Sequence, residues 1–96
     1  MTEAELLQEI KYRLGITGDY HDNLLKSLAQ DVKEYLYDGG VSKKVVESKA
    51  SVGVIARGVS DLWNFGSGDG KFSEVFYQRA IQLCLKRDGE IEDEQL

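Results

Sequence analysis

The sequence predicts an all-α protein, a compact bundle of about four helices. Three observations predict this fold class. The 96 residues include no proline, so no helix has to break at one. Apolar residues recur at spacings of three and four over long stretches. Glycines and small polar residues, which favour helix ends, separate those stretches. The length suits one domain, and 42% apolar with 30% charged residues is typical of a globular chain.

The first helix has clear signals at both ends. Thr2 and Glu5 form a T-x-x-E capping box, in which each side chain can satisfy an end amide of the other residue. Apolar residues follow at helical spacing, and Gly15 suits the left-handed conformation that often ends a helix. We therefore predict a helix over about 3–14.

The second helix is predicted over about 20–37. Asp19 is its expected N-cap, and the segment 38–40, Asp-Gly-Gly, is its expected end. One apolar stripe runs between these limits. It consists of Leu24, Leu25, Leu28, Val32, Tyr35 and Leu36.

The third predicted helix begins after Ser42, a suitable N-cap, and continues to Asn64. Its valines would permit a strand, but 20 residues without a turn signal favour a helix. Gly53 and Gly58 lie inside it, and each costs on the order of 1 kcal/mol relative to alanine. Either the helix kinks or breaks into two shorter helices, or a neighbouring helix approaches closely at a glycine.

A glycine-rich loop, 65–71, is predicted to precede a fourth helix over about 74–87, with Ser73 as its cap. This helix has two apolar stripes. One contains Phe76, Ala80, Leu83 and Cys84, and the other contains Tyr77, Ile81 and Leu85. One small core cannot cover both stripes, so we expect a partner to cover one of them. We also expect the segment 63–72 to be a docking surface.

The charge is concentrated at the end of the chain. There are 17 acidic and 12 basic residues, a net charge of −5. Five acids follow Arg87, and the 12 acids before that point balance the 12 bases. We expect a helical domain over 1–87 and a disordered acidic tail over 88–96. A neutral body with an acidic tail does not favour tight nucleic-acid binding, which depends on Lys and Arg neutralising phosphates.

Several features predict a cytoplasmic protein. No stretch approaches the roughly 20 apolar residues that cross a bilayer, and the N-terminal residues lack the basic flank and apolar core of a signal peptide. The single cysteine, Cys84, excludes an internal disulfide and fits a reducing compartment. We expect it to be a buried, inert thiol.

No combination of residues indicates an enzyme. The loop 66–71 is not a phosphate-binding loop, because Phe65 and Phe72 stand where that motif requires a glycine and a hydroxyl, and Lys71 stands where the dinucleotide motif requires its third glycine. His21 is expected to be a surface histidine. We predict no catalytic, cofactor-binding or metal-binding residue, since no nucleophile, base and oxyanion site come together.

The segment 42–60 has the superficial pattern of a helix-turn-helix, with Gly53 in the turn. Its bases are Lys43, Lys44, Lys49 and Arg57, against one acid, Glu47. A small DNA-binding regulator is therefore the alternative function.

The segment 56–86 has the sequence A-R-G-V-S-D-L-W-N-F-G-S-G-D-G-K-F-S-E-V-F-Y-Q-R-A-I-Q-L-C-L-K. It resembles the head–tail connector proteins of tailed phages, which are often labelled DNA-packaging proteins. In that family a Trp-Asn-Tyr/Phe-Gly segment leads through a polar loop into a helix of the type F-x-Q-R-x-x-x-L. The matching positions are Trp63, Asn64, Phe65, Gly66, Phe76, Gln78, Arg79 and Leu83. A short first helix, a turn with Asp19 and Asp22, and a Leu-Leu start to the second helix extend the resemblance over about 3–87.

The resemblance implies a structural protein of the virion that is made in the host cytoplasm. Such a protein can be a monomer before assembly. It then forms a ring that is a dodecamer, like the portal. The ring would lie between the portal protein and a neck, stopper or tail-completion protein. It would extend the DNA channel, with DNA only a non-specific passenger and with no membrane partner. The expected assembly interface consists of Arg57, Asp61, Phe65, Asp69, Lys71, Phe72, Tyr77, Ile81 and Leu85.

Overall fold

The computed structural model describes residues 1–69 and 72–90, and for 65–69 and 90 it describes the backbone only. The described helices are α1 (Glu3–Leu14), α2 (Asp22–Asp38), α3 (Lys43–Val46), α4 (Val52–Asp69) and α5 (Glu74–Cys84), with single 3-10 turns at Lys49–Ser51 and Asp88–Glu90. The described residues contain no strand. The prediction of an all-α bundle is confirmed.

The helix caps follow the sequence signals closely at α1. The Thr2 hydroxyl accepts a hydrogen bond from the Glu5 amide at 3.1 Å, and Gly15 ends the helix with φ 70°. The second helix begins two residues later than predicted. His21 is its N-cap and makes no side-chain capping bond, whereas Asp19 contributes only its backbone carbonyl to the turn before it.

The third predicted helix is not continuous. It breaks after α3, and serine side chains satisfy the backbone at the break. The Ser48 hydroxyl donates to the Val45 carbonyl at 2.7 Å and accepts from the Ala50 amide at 3.2 Å. The Ser51 hydroxyl donates to the Val46 carbonyl. The break therefore lies at hydroxyl side chains, which compete for helical backbone groups, and not at the glycines.

The prediction of a glycine-rich loop over 65–71 is wrong for the first five of these residues. Residues 65–69 continue α4 as a helix, so the connection to α5 is confined to 70–73, of which 70 and 71 lie outside the described residues. A glycine costs about 1 kcal/mol in a helix but removes no hydrogen-bond donor, so two glycines do not end a helix that is already formed. The last helix also ends three residues earlier than predicted, at Cys84.

The core lies where α4 packs against α1, α2 and α5. Its buried side chains are Leu6, Ile10, Leu25, Ala29, Val32, Leu36, Val41, Val45, Val46, Val54, Ile55, Ala56, Val59, Phe76, Ala80 and Leu83. Gly58 lies at the centre of this packing. A Cβ atom built there would lie 2.7 Å from the Phe76 ring and 2.8 Å from a Val32 methyl group. Gly58 therefore allows the close approach of neighbouring helices, which was one of the two alternatives predicted for the glycines. This close approach brings α2, α4 and α5 together.

A polar cluster ties the end of α2 to the residue after α3. The Tyr37 hydroxyl donates to the Glu47 carboxylate at 2.8 Å, and the Lys33 ammonium lies 3.2 Å from the same carboxylate. Burial would raise the pKa of Glu47, but hydrogen bonds from Tyr37 and Lys33 and the charges of Lys33 and Lys43 outweigh it and lower that pKa. Burial and the bond to Glu47 raise the pKa of Tyr37 to about 12.

We predict that Gly58→Ala destabilises the protein by about 1–3 kcal/mol, because the added methyl group overpacks against Phe76 and Val32. Gly53→Ala is the matched control. Its Cβ atom would meet only the Arg13 guanidinium at 3.5 Å, so the helix propensity of alanine should leave stability unchanged or raise it by up to about 1 kcal/mol. Urea unfolding of both variants measures the difference. Equal effects of the two substitutions would contradict the close approach at Gly58.

A second prediction concerns pH. A carboxyl group with a lowered pKa in the folded state contributes stability above its unfolded pKa and loses it as the pH falls through the folded value. Glu47→Gln should therefore be less stable than the wild type at pH 7, and the difference should shrink below pH 4.5, the ordinary value for Glu47. Tyr37→Phe, which removes one donor to Glu47, should show a smaller pH-dependent difference. Unfolding curves from pH 3 to 7 provide the test, and a difference that stays constant over this range would exclude the mechanism.

Candidate assembly surface

The second apolar stripe of α5 is uncovered in the monomer. Tyr77, Ile81 and Leu85 are 37%, 62% and 76% exposed, whereas Phe76, Ala80 and Leu83, on the opposite side of the helix, are buried in the core. The division of α5 into one core stripe and one exposed stripe agrees with the sequence analysis for these six residues. We refer to Tyr77, Ile81 and Leu85 as the α5 stripe.

The start of α5 is held by a buried carboxylate on α4. Asp61 is 2% exposed, and its Oδ2 atom accepts hydrogen bonds from the Ser73 amide at 2.9 Å and the Ser73 hydroxyl at 2.8 Å. Ser73 in turn caps α5 by accepting from the Phe76 amide at 3.2 Å. The Arg57 side chain reaches Asp61 at 3.4 Å and the Ser73 hydroxyl at 3.3 Å. Together these bonds fix where α5 begins and which side of it faces outward.

The placement of Asp61 corrects its assignment to the assembly interface. A carboxylate that is almost fully buried and already bonded to Ser73 and Arg57 has no surface to offer a partner. Its role in the monomer is to position α5. Sequence analysis identified Ser73 as a cap but not its partner, because the two residues are 12 positions apart and no local pattern joins them. Arg57 remains about half exposed next to this pair.

An aromatic cluster connects the α5 stripe to α2. Phe72 is partly buried and stacks on Phe76 with 4.2 Å between ring centroids. Tyr35 lies 5.0 Å from Phe72 and 6.2 Å from Tyr77. Partial burial, with the Tyr77 hydroxyl as the next cause, raises the pKa of Tyr35. Tyr35 is 42% exposed, so it enlarges the apolar surface around Tyr77. The sequence analysis placed Tyr35 in the apolar stripe of the second helix and did not predict that it would extend this surface.

The prediction that Cys84 is buried is wrong. Cys84 is exposed, and its thiol lies 3.5 Å from the Gly39 carbonyl. The reason is the position of Cys84 around the axis of α5. Leu83 takes the core position, and the next residue on a helix is turned by about 100° toward solvent. Cys84 therefore lies beside Ile81 and Leu85.

The other expected site residues fall at the end of α4. Phe65 and Asp69 lie on its last turns, where side chains are outside the described residues, as is Lys71. Just before them, the partly buried Trp63 makes an edge contact with His21, with 5.0 Å between ring centroids. This contact joins α4 to the first turn of α2, so His21 packs against an aromatic ring and is not a fully solvated histidine.

The segment 42–60 does not have the geometry of a helix-turn-helix. Its first helix, α3, has four residues and is followed by a 3-10 turn, whereas the motif packs two full helices across a short turn. Arg57, which would lie on the recognition helix, forms an ion pair with Asp61. The alternative function as a DNA-binding regulator therefore finds no support in this segment.

Neither a metal site nor a membrane span is found among the residues described. Within them, no group of three or more His, Cys, Asp and Glu side chains is arranged to hold a metal ion. None of the helices there is long and apolar enough to cross a membrane.

The first three helices and the beginning of α4 match a known protein family. The model of the phage gp6-like head-tail connector proteins matches residues 4–60, more than half of the chain. The chain belongs to this family. It is therefore a phage head–tail connector protein and a structural component of the virion, which confirms the resemblance seen in the sequence. No match was found among curated proteins or among solved structures.

The matched part and the exposed surface are different parts of the connector chain. The match ends within α4, before Asp61 and before the α5 stripe. The motif that carried the resemblance, 57–83, overlaps the match only at 57–60. The family assignment and the uncovered stripe are thus independent observations about the same chain.

We predict that Asp61→Ala destabilises the connector chain by about 1–3 kcal/mol, because it leaves the Ser73 amide without its acceptor at a partly buried position. Arg57→Ala is the comparison variant. Its side chain is half exposed, and Asp61 keeps both bonds to Ser73, so the loss should be about 1 kcal/mol or less. Thermal and urea unfolding give both values. A larger loss for Arg57→Ala than for Asp61→Ala would show that the ion pair, and not the bonds to Ser73, positions α5.

Proposed function

We propose that this connector chain forms the adaptor ring between the portal protein and the neck, stopper or tail-completion protein, and that the ring extends the DNA channel. The observation that carries the proposal is the uncovered α5 stripe in a member of a connector family. The chain acts by assembly, with no catalytic step.

The exposure of the α5 stripe favours self-association. Fully burying a side chain such as isoleucine or leucine contributes about 1.5–3 kcal/mol relative to leaving it exposed, and two such residues lie side by side at Ile81 and Leu85. Tyr35 and Tyr77 extend the same apolar surface with partly exposed rings. A contact between different surfaces of neighbouring copies produces a closed ring when the rotations from each copy to the next add up to a full turn. A ring that matches a dodecameric portal would satisfy this condition.

The charge distribution suits a channel through which DNA slides. The body of the chain carries equal numbers of acids and bases, and the excess negative charge lies after Arg87. Tight DNA binding requires clustered Lys and Arg. We therefore assign DNA the role of a non-specific passenger.

The other proposed contacts of the ring lie near the end of α4. Eight residues of α4 follow Asp61. The helix therefore continues about 12 Å past Asp61, the residue to which Ser73 is hydrogen-bonded. We propose that Phe65, Asp69 and Lys71, with the nearby Arg57 and Phe72, contact the neighbouring subunit or the portal.

We predict that Ile81→Asp abolishes assembly, because a charge would be buried in the subunit contact without a partner. Val75→Asp is the matched control. Val75 is a 52% exposed residue of the same helix, and it lies about 120° around the helix from Ile81. The chain and the portal protein of its phage would be co-expressed, and rings on the portal counted by electron microscopy.

The expected result is a loss of at least about 100-fold in portal-bound rings for Ile81→Asp, equivalent to a few kcal/mol. Val75→Asp should assemble like the wild type. Normal unfolding curves for both variants would confirm that the folds are intact. Wild-type levels of rings with Ile81→Asp would remove the α5 stripe from the interface, and the absence of portal-bound rings for the wild type would overturn the proposed function.

A further inference from the structure

A groove lies between α1 and α2, apart from the α5 stripe. Its volume is about 150 Å³. Its apolar lining consists of Leu6, Leu7, Ile10, Leu25 and Ala29, and its polar lining consists of Glu3, Lys26, Gln30 and Lys33. A cavity of about this volume can hold one group as large as benzene, and the surface of this groove is polar and apolar in about equal parts. The groove can therefore take a branched aliphatic side chain.

The groove and the α5 stripe lie on opposite sides of α2. Lys26 lines the groove, and Tyr35 contacts Tyr77 of the stripe. Nine residues separate Lys26 from Tyr35, which is two and a half helical turns, so the two side chains point about 180° apart. An apolar projection on one side and a depression on the other cannot meet within one chain. They can meet between two copies.

We infer that the α5 stripe of one copy packs into the α1–α2 groove of the next copy, with Ile81 as the inserted side chain and Leu85 beside it. This inference rests on the proposed ring and specifies which two surfaces form it. A projection that fits a depression elsewhere on the same molecule produces a head-to-tail contact, and such contacts continue from copy to copy until the ring closes. Two α5 stripes packed against each other would instead stop at a dimer.

The charges around the two surfaces are complementary. Glu74 is exposed and lies seven residues before Ile81, which places it on the same side of α5. The groove carries two bases, Lys26 and Lys33, and one acid, Glu3. Lys33 is engaged by Glu47, but Lys26 is 46% exposed with only a 3.6 Å contact to Glu3. Glu74 of one copy can therefore pair with Lys26 of the next, which would set the direction in which α5 lies in the groove.

Cross-linking between thiols tests this contact without altering the core. The chain has one native cysteine, Cys84, which is exposed beside Ile81 and Leu85. Gln30→Cys adds a thiol at the rim of the groove. Gln8→Cys is the matched control. It also replaces an exposed glutamine, but Gln8 lies about 160° around α1 from Leu6 and Ile10. Both variants would be assembled with the portal protein and treated with a short bis-maleimide.

The expected result is a ladder of covalent dimers, trimers and larger species for Gln30→Cys, because each copy then carries one thiol on each of the two surfaces. Gln8→Cys should give no ladder, and Gln30→Cys combined with Cys84→Ser should lose it. Dimers alone in every variant that retains Cys84 would show stripe-to-stripe packing and overturn the inference. Portal-bound rings without a ladder for Gln30→Cys would also overturn it while leaving the connector ring intact. A chain that binds neither itself nor the portal would overturn the proposed function as well.

Discussion

The packing at Gly58 is the constraint on which the rest of the structure depends. Three helices meet at one backbone position, where a ring from α5 and a methyl group from α2 occupy the space of a missing side chain. A glycine is unfavourable inside a helix, but this close approach lets Phe76 become fully buried in a chain of only 96 residues. The position of Phe76 then determines the position of α5. Without it, Ala80 and Leu83 would be the only buried side chains of the last helix.

The exposed surface follows from how α5 is fixed. Phe76 holds the helix against the core, and the bonds from Ser73 to Asp61 fix the position of its first turn. Two fixed points on one side of a helix leave little freedom of rotation about its axis, so the apolar residues opposite them must face outward. The outward direction of Ile81 and Leu85 is therefore a consequence of buried contacts made by other residues. A monomer that holds an apolar surface rigidly outward is prepared to bind, since little conformational entropy remains to be lost.

The sequence predicted helices, caps and stripes well because these depend on neighbours three and four positions apart. The boundaries of α1 and the caps at Ser42 and Ser73 are examples. It failed where a local signal competes with packing. The glycines after Phe65 suggested a loop, but the helix continues through Gly66 and Gly68 to Asp69. It also failed for contacts between distant residues. Neither the bond from Ser73 to Asp61 nor the exposure of Cys84 can be read from spacing, because both depend on how α5 is rotated against α4.

The exposure of Cys84 makes the natural chain suitable for spectroscopy without engineering. It is the single cysteine of the sequence, it is accessible, and it lies beside the residues of the uncovered stripe. A polarity-sensitive fluorophore attached there would report on water leaving the surface as copies come together. The time course of that signal would distinguish copies that add one by one to a template from copies that associate beforehand, because only the second process speeds up with the square of the protein concentration. The order of assembly of the connector thus becomes measurable from one residue that sequence periodicity had placed in the core.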